Sequence, residues 1–372
     1  MQVVSLSILH FKNYREAHLE FIPKINCFTG DNGSGKTNLL DAIYYLSFCK
    51  GFSNTTDYQN ISFGNDLFVI QGQYLMNGRT DELYCGIKRG QKKIFKKNKK
   101  EYDRFSDHIG SYPLVLIHPA DVQLIDGGSE DRRKFIDGVI SQNNREYLHN
   151  LIDYNKALLQ RNALLKYFAE RKTFDAASIE IWDEKLKIHG NYIFGERKRF
   201  FSLYTEVFHR SYKTLTRNAE NVGIEYESQL SQNNFGQLLF DSRNRDLVMQ
   251  HTTSGIHKDN IIFLLEGQPL KKFGSQGQQK SYVIALKLAQ YEFTKNNKGF
   301  DPILLFDDIF DKLDPHRVEQ LVQMVSKNEF GQVFFTDTQS SRFEEIFKNI
   351  DDSCRIFDIR SGRIENIRDI GV

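Results

Sequence analysis

The string Gly30-Asp31-Asn32-Gly33-Ser34-Gly35-Lys36-Thr37 lies between an apolar strand pattern (Ile25, Cys27, Phe28) and an apolar helix pattern (Leu39, Leu40, Ala42, Ile43). The spacing is G-x-x-x-x-G-K-[ST], in the strand–loop–helix setting that it requires. Three glycines let the backbone curl and turn its N–H groups inward, and the helix N-terminus adds positive potential, so the loop suits phosphate. Lys36 reaches the β- and γ-phosphates of a nucleotide, and the Thr37 hydroxyl ligates Mg²⁺. Residues Gly30 to Thr37, with Asn38 behind them, are the candidate nucleotide-binding set.

Asp301-Pro302-Ile303-Leu304-Leu305-Phe306-Asp307-Asp308 carries four consecutive apolar residues, the pattern of a central parallel strand buried on both faces. Charge is kept out of such a strand, but its carboxyl end opens at the sheet edge where ligands bind. Asp307 is placed to hold Mg²⁺, directly or through water, and Asp308 to orient or deprotonate an attacking water. A second helix start stands at Phe273-Gly274-Ser275-Gln276-Gly277-Gln278-Gln279-Lys280, ahead of Val283, Ile284, Leu286 and Leu288. Ser275 is a good N-cap and Gly277 allows close backbone approach, so this end also suits an anion. One nucleotide does not need two such cradles from one chain. The economical account gives the Ser275 helix to the γ-phosphate of a nucleotide on a second subunit; the plainer reading is an ordinary capped helix.

Asp311-Lys312-Leu313-Asp314-Pro315 follows the acidic strand, then a helix and the strand Val333-Phe334-Phe335-Thr336. Together these elements resemble the ATPase cassette of the ABC and SMC class. Ser275, Gln276, Gly277 and Gln278 stand where that class has its signature motif, and Asp311 and Asp314 bound its D-loop. Ser275 to Lys280, the Asp307-Asp308 pair and Phe11-Lys12-Asn13-Tyr14-Arg15 are similar to RecF, a family of bacterial recombination-mediator ATPases. So are Pro119-Ala120-Asp121 with Asp131-Arg132-Arg133-Lys134-Phe135-Ile136-Asp137, the run Leu159 to Lys166, and His257-Lys258-Asp259. The matches extend from residue 11 to about 365.

That resemblance implies ATP and Mg²⁺ as cofactors and catalytic roles for Lys36, Asp308 and Ser275. It also implies a weak DNA-dependent ATPase that dimerises with ATP, and RecR and RecO as partners in loading RecA at gaps. Two departures bear on rate. Thr338, in Thr336-Asp337-Thr338, takes the place of the His that senses the γ-phosphate in transporter-type ABC ATPases. The segment Gly255 to Asn260 replaces a Pro and an acidic residue usual in the family. Both point to slow turnover, which suits a switch better than a motor.

A chain of 372 residues is long enough for two lobes. The expected fold is α/β: an ABC/SMC-type ATPase head with a mixed sheet and flanking helices, from residues 1–125 and 301–372. Residues 126–300 are expected to form a helical second lobe carrying the signature motif. Within it Leu148, Leu151, Ile152, Leu158, Leu159 and Leu165 recur at three-and-four spacing, as one apolar helix face. A second run passes through Ile179, Trp182, Leu186, Ile193 and Phe200 to Leu215. Joined by Arg171 to Asp175, the two make a short antiparallel pair, either an abbreviated SMC arm or a compact helical subdomain. A closing hairpin is expected around Ser361-Gly362-Arg363.

Charged residues are 26% of the chain and the net charge is +2, so any DNA-binding surface is local. The densest basic cluster lies in a hairpin between Leu83 and Asp103 that turns at Arg89-Gly90-Gln91. Lys92, Lys93, Lys96 and Lys97 are its candidate contacts to duplex DNA phosphates; a solvated Lys-rich edge that protects the sheet is the other reading. Four cysteines without metal-ligand spacing suit a reduced cytoplasm. No apolar run has transmembrane length, and the N-terminus lacks a signal-peptide pattern.

Two functions of different classes fit these residues. One is an ATP-gated clamp that binds duplex DNA near single-strand gaps and junctions, and releases it on hydrolysis. The other is a P-loop enzyme acting on a small molecule, such as a kinase. A kinase needs a lid and an acceptor pocket and has no use for the Ser275 cradle, which favours the clamp.

Overall fold

Alternation sets the first wall: Leu6 and Ile8 are buried, while Ser5 and Ser7, the residues that alternate with them, are half-buried. A computed structural model describes residues 1–53, 56–216, 220–310, 315–326, 330–347 and 353–371. In chain order the first strands are β1 (Gln2–Phe11), β2 (Tyr14–Glu20), β3 (Ile25–Thr29), β4 (Leu67–Met76) and β5 (Arg79–Lys88). Next come β6 (Ile94–Lys97), β7 (Lys100–Glu101), β8 (Leu114–Ile117), β9 (Val222–Glu227) and β10 (Asn260–Leu265). The last are β11 (Gln268–Pro269), β12 (Ile303–Phe306), β13 (Val333–Asp337), β14 (Cys354–Arg360) and β15 (Arg363–Ile370).

The chain divides into two compact units, Met1–Asp121 with Thr214–Arg217 and Lys280–Val372, and Val122–Lys213 with Asn218–Gln279. The first holds two sheets. One is antiparallel, in the order β2-β1-β4-β5-β6-β7; the other has the order β15-β14-β3-β13-β12-β8, parallel except for β15. Helix Lys36–Phe48 joins them. Its Leu39, Ile43 and Leu46 share a core with Leu6 and Phe68 of the antiparallel sheet and Leu305, Phe334 and Phe357 of the parallel one. The opposite face of the parallel sheet is covered as well. Ile25, Phe306 and Phe335 pack there with Ile284, Leu288 and Tyr291 of helix Gln276–Lys298. Covered twice, β12 is buried at every residue, as its continuous apolar run requires. That helix also explains why the first unit resumes at Lys280 and not at residue 301: its apolar side serves the ATPase sheet.

The second unit contains helices Ser129–Asn143, Arg145–Arg171 and most of Ala176–Thr216. The Asn144 side chain caps the second by accepting the Tyr147 N–H, and Lys172, at φ 52°, ends it in the left-handed region. Contacts Asn144–Glu196, Asn150–His189 and Arg161–Asp183 run in opposite directions along the two long helices, which are therefore antiparallel. The buried stripe of Arg145–Arg171 is not the leucine face. Ile152 and Leu159 are 47% and 71% exposed, whereas Tyr147, Tyr154, Ala157, Arg161, Leu165 and Phe168 are buried. An apolar template misses this stripe because an arginine lies at its centre.

Arg161 is fully buried, donating to Asp183 at 2.6 Å, Asp246 at 2.6 Å and Thr252 at 2.9 Å. Arg197 bridges Asp137 at 2.9 Å and Asp259 at 2.7 Å. His257 joins Tyr154 at 2.8 Å, and burial lowers its pKa to about 4, so it is neutral at physiological pH. The mid-chain motifs around Asp137, Arg161 and His257-Lys258-Asp259 thus supply buried polar pairs that tie the helices to the segments beside them. Removing one partner of such a pair costs about 3–5 kcal/mol, because the other charge stays buried alone. The lobe is also not wholly helical. Its sheet, β11-β10-β9, includes Val222–Glu227, in which Val222, Ile224 and Tyr226 alternate with smaller or polar residues.

Candidate functional site

Four neighbouring parallel strands, β3, β13, β12 and β8, end at one edge of their sheet. Each delivers one part of a site, as expected at the carboxyl ends of parallel strands. β3 runs into the Gly30–Thr37 loop. Gly30 has φ 145° and an added Cβ would lie 2.1 Å from the Ile359 carbonyl oxygen; Gly35 has φ 120° with the Asn13 side chain 2.7 Å from its Cβ position. No side chain larger than hydrogen fits at either position. The loop is pinned from behind: Asn13 Nδ2 and the Gly362 N–H both donate to the Ser34 carbonyl, at 2.9 and 2.8 Å, and Tyr14 donates to that of Gly35. Asn38 donates to Asn13 Oδ1 at 2.7 Å, closing the brace. The Phe11–Arg15 motif therefore holds the loop in shape.

Helix Lys36–Phe48 starts without a side-chain cap and without an acidic residue in its first turn. The N–H groups of such a helix start suit an anion. The Ser34 hydroxyl is buried and has no hydrogen-bond partner among the described residues, so the residues present fit a phosphate group. The Lys36 ammonium lies inside the loop, donating to the Gly30 and Asp31 carbonyls at 2.7 and 3.1 Å. Asp31, Asn32 and Gly33 form the exposed rim.

β12 ends at Phe306, and Asp307 and Asp308 follow it. The Thr37 hydroxyl donates to Asp307 Oδ1 at 2.9 Å, joining the two expected metal ligands. Two further residues complete the cluster. His118, immediately after β8, sits with Nε2 3.3 Å from Asp307 Oδ2. Its Nδ1 accepts the Ala120 N–H at 3.0 Å, so in the neutral ring Nε2 carries the proton. Thr336 in β13 donates to Asp307 Oδ1 at 2.9 Å and accepts the Asp308 N–H at 2.8 Å. The motifs in the sequence give neither His118 nor Thr336 a role, although both adjoin runs that stand out, Pro119-Ala120-Asp121 and Thr336-Asp337-Thr338. The available signal is that each follows or ends an apolar strand, as Asp307 does. The Thr338 hydroxyl, just past β13, is 3.5 Å from Asp337 Oδ1, beside the Arg342–Asp337 ion pair at 2.6 Å.

Ser275 and Gln278 form a reciprocal capping box at the start of helix Gln276–Lys298. Ser275 Oγ accepts the Gln278 N–H at 3.3 Å, and Gln278 Oε1 accepts the Ser275 N–H at 2.7 Å. Gln278 Nε2 also donates to Glu220 at 2.7 Å. Gln276 is exposed, and the Ser275 hydroxyl, which accepts one bond, keeps a proton to donate. The D-loop candidates Asp311 and Asp314 lie outside the described residues.

The basic hairpin pairs β5 with β6 around the turn at Arg89-Gly90-Gln91, where Gly90 has φ 72°. Its four candidate lysines do not stand alike. Lys93 is 15% exposed and donates to Asp57 and the Cys49 carbonyl, both at 2.7 Å. Lys97 is 34% exposed and paired with Asp81 at 2.9 Å, which holds that carboxyl below its ordinary value, together with Tyr112 and Asn98. Lys92 is exposed, and Lys96 lies over the Tyr84 ring at 5.8 Å.

The chain is similar to known proteins over nearly its whole length. A family described as an AAA domain matches residues 5–234. The DNA replication and repair protein RecF of Flavobacterium johnsoniae is 50% identical over 359 residues, covering 96% of this chain and 100% of that one. The RecF of Phocaeicola vulgatus is 49% identical over 361 residues, covering 96% of each chain. A solved structure of the recombination mediator protein RecF with ATP, from the RecFOR pathway, has a TM-score of 0.88 at 26% identity, covering 99% of this chain and 97% of that one. The Smc head domain of Pyrococcus furiosus, at 15% identity and a TM-score of 0.57 over 99% of this chain and 96% of that one, shares the fold. The α/β ABC/SMC-type head expected from the phosphate loop and acidic strand is thus the fold found, and the chain belongs to the RecF family of DNA replication and repair proteins, ATPases of the ABC type.

Proposed function

We propose that this RecF-family chain is an ATP-gated clamp on DNA in recombinational repair, acting in the cytoplasm. Two subunits enclose two ATP molecules, the Gly30–Thr37 loop of each facing the Ser275 helix of the other. The dimer holds duplex DNA near single-strand gaps, and slow, DNA-dependent hydrolysis releases it. The observation that carries the reading is the presence of two helix starts of different design in different compact units: Lys36–Phe48, uncapped behind a glycine loop, and Gln276–Lys298, headed by the Ser275 hydroxyl. A kinase acting on a small molecule leaves the second unused.

Mg²⁺ fits the donor chemistry of Thr37 and Asp307, hard oxygens 2.9 Å apart. Among the described residues no cluster of three or more His, Cys, Asp or Glu forms an all-protein cage, and Mg²⁺ characteristically combines one or two carboxylates with substrate phosphates. When bound, the ion supplies charge neutralisation at the phosphates. Lys36 contacts the β- and γ-phosphates, and Asp308 orients or deprotonates the attacking water. Ser275 and Gln276 to Gln278 reach the partner subunit's nucleotide, beside the D-loop of Asp311 and Asp314. The lack of a charged residue at Thr338 supports slow turnover. RecR and RecO are the proposed partners, loading RecA at gaps; the RecFOR pathway of the solved relative supports this. Among the described residues no helix is long and apolar enough to cross a membrane.

DNA binding is tested on the hairpin. Replacing Lys92 and Lys96 by Ala is expected to weaken binding for all sequences alike. The slope of log affinity against log salt should flatten by up to roughly 0.9 for each phosphate no longer neutralised. Lys93→Ala and Lys97→Ala leave Asp57 and Asp81 without their ion pairs, so these variants report on the fold as well as on DNA. Fluorescence anisotropy on a gapped duplex, with ATP present, measures both. An unchanged salt slope for the Lys92/Lys96 double variant assigns the hairpin to a solvated sheet edge.

A further inference from the structure

The acidic pair at the end of β12 depends on a residue from the neighbouring strand. Thr336 is 1% exposed, and its one hydroxyl serves both aspartates. It donates to Asp307 Oδ1 at 2.9 Å, accepts the Asp308 N–H at 2.8 Å and lies 3.4 Å from Asp308 Oδ1. A hydroxyl has one proton and two acceptor sites, so it can give that proton to only one carboxylate at a time. The shorter distance gives it to Asp307. Asp308 itself has φ 44°, the left-handed region, which a non-glycine residue holds only when its surroundings fix it. Its backbone N–H is received by the Thr336 oxygen, the bond that turns the Asp308 backbone toward β13.

We propose that Thr336 is a positioning residue for hydrolysis, fixing the Asp308 backbone and the Asp307 carboxylate in one arrangement. The inference rests on the reading of Asp308 as the group that orients or deprotonates the attacking water. β13 lies between β3 and β12, so Thr336 stands between the strand that enters the phosphate loop and the strand that carries the acids. A β-branched residue suits the strand, but only a hydroxyl makes the two bonds. Valine has the same shape and makes neither.

The test uses the full chain with ATP and gapped duplex DNA, comparing Thr336→Val, Thr336→Ala, Thr336→Ser and Asp308→Asn. Displacing a reacting group by an ångström costs on the order of 100-fold, so Thr336→Val and Thr336→Ala are expected to lower kcat by about 10- to 100-fold. KM and the affinity for a non-hydrolysable ATP analogue should stay within about threefold of the parent, because the phosphate loop is not altered. Thr336→Ser keeps the hydroxyl and should recover most of kcat. Combined with Asp308→Asn, Thr336→Val should add only the part of its loss that passes through Asp307, since the part that acts through Asp308 is already gone. A merely structural Thr336 would lower the melting temperature and leave kcat, measured well below it, unchanged. Parental kcat in folded Thr336→Val and Thr336→Ala overturns the inference, as does a loss that multiplies in full with that of Asp308→Asn. If Asp308→Asn itself keeps the parental rate, it is the reading of Asp308 that fails.

Discussion

Asp308→Asn is expected to slow ATP hydrolysis by about 10²- to 10⁴-fold, the usual contribution of a positioned proton acceptor. The substitution is nearly isosteric and keeps the backbone N–H that Thr336 receives at 2.8 Å, so the end of β12 keeps its shape. Asparagine also tolerates the left-handed conformation that Asp308 adopts at φ 44°. What disappears is the carboxylate's ability to take a proton and its charge. Asp307, the partner of the Thr37 hydroxyl, is untouched, so ATP and Mg²⁺ should still bind. The variant should therefore form the ATP-bound dimer and stay on DNA. Single-turnover hydrolysis and the dissociation rate from a gapped duplex read the two effects separately. Parental hydrolysis by this variant would move the proton acceptor to another residue.

Lys36→Met should weaken ATP binding by about 10²- to 10⁴-fold. Hydrogen bonds to charged groups contribute about 1.5–3 kcal/mol each, and methionine removes two such phosphate contacts, or about 3–6 kcal/mol. It removes something else as well. The ammonium ties the Gly30 and Asp31 carbonyls together, at 2.7 and 3.1 Å, and a thioether cannot. The loop is still braced by Asn13, Tyr14 and Gly362, so the fold should survive. A titration with fluorescent ATP, beside a thermal melt without nucleotide, separates weaker phosphate binding from a damaged fold. Affinity within about threefold of the parent would contradict the assigned role of Lys36.

The parts of the site that can be read from the sequence are those whose chemistry is contiguous in the chain. The Gly30–Thr37 loop, the Ile303–Phe306 strand with its following aspartates and the Ser275 helix start each carry spacing and residue types that local geometry explains, and each forms the element expected of it. His118 and Thr336 are not legible as site residues, because their place depends on the strand order β3-β13-β12-β8, which brings together residues far apart in the chain. The helix Arg145–Arg171 misleads for a different reason. Its buried face is built on Arg161 and two tyrosines, stabilised by carboxylates from distant segments, and periodicity counts only apolar residues. The strand Val222–Glu227 is hidden in a stretch whose general pattern is helical, although its own alternation is present. In the basic hairpin, density of charge gives no sign that Asp57 and Asp81 already neutralise two of the lysines.

ATP is expected to join two subunits through Ser275, and sedimentation velocity measures this directly. The unmodified protein should sediment as a monomer without nucleotide and as a dimer with ATP and Mg²⁺. Ser275→Arg should bind ATP as the parent does, because Ser275 lies outside the compact unit that holds the phosphate loop, yet remain monomeric, since a short hydroxyl is replaced by a long side chain. A parent whose mass does not change with ATP, or a Ser275→Arg variant that dimerises normally, would contradict the composite site.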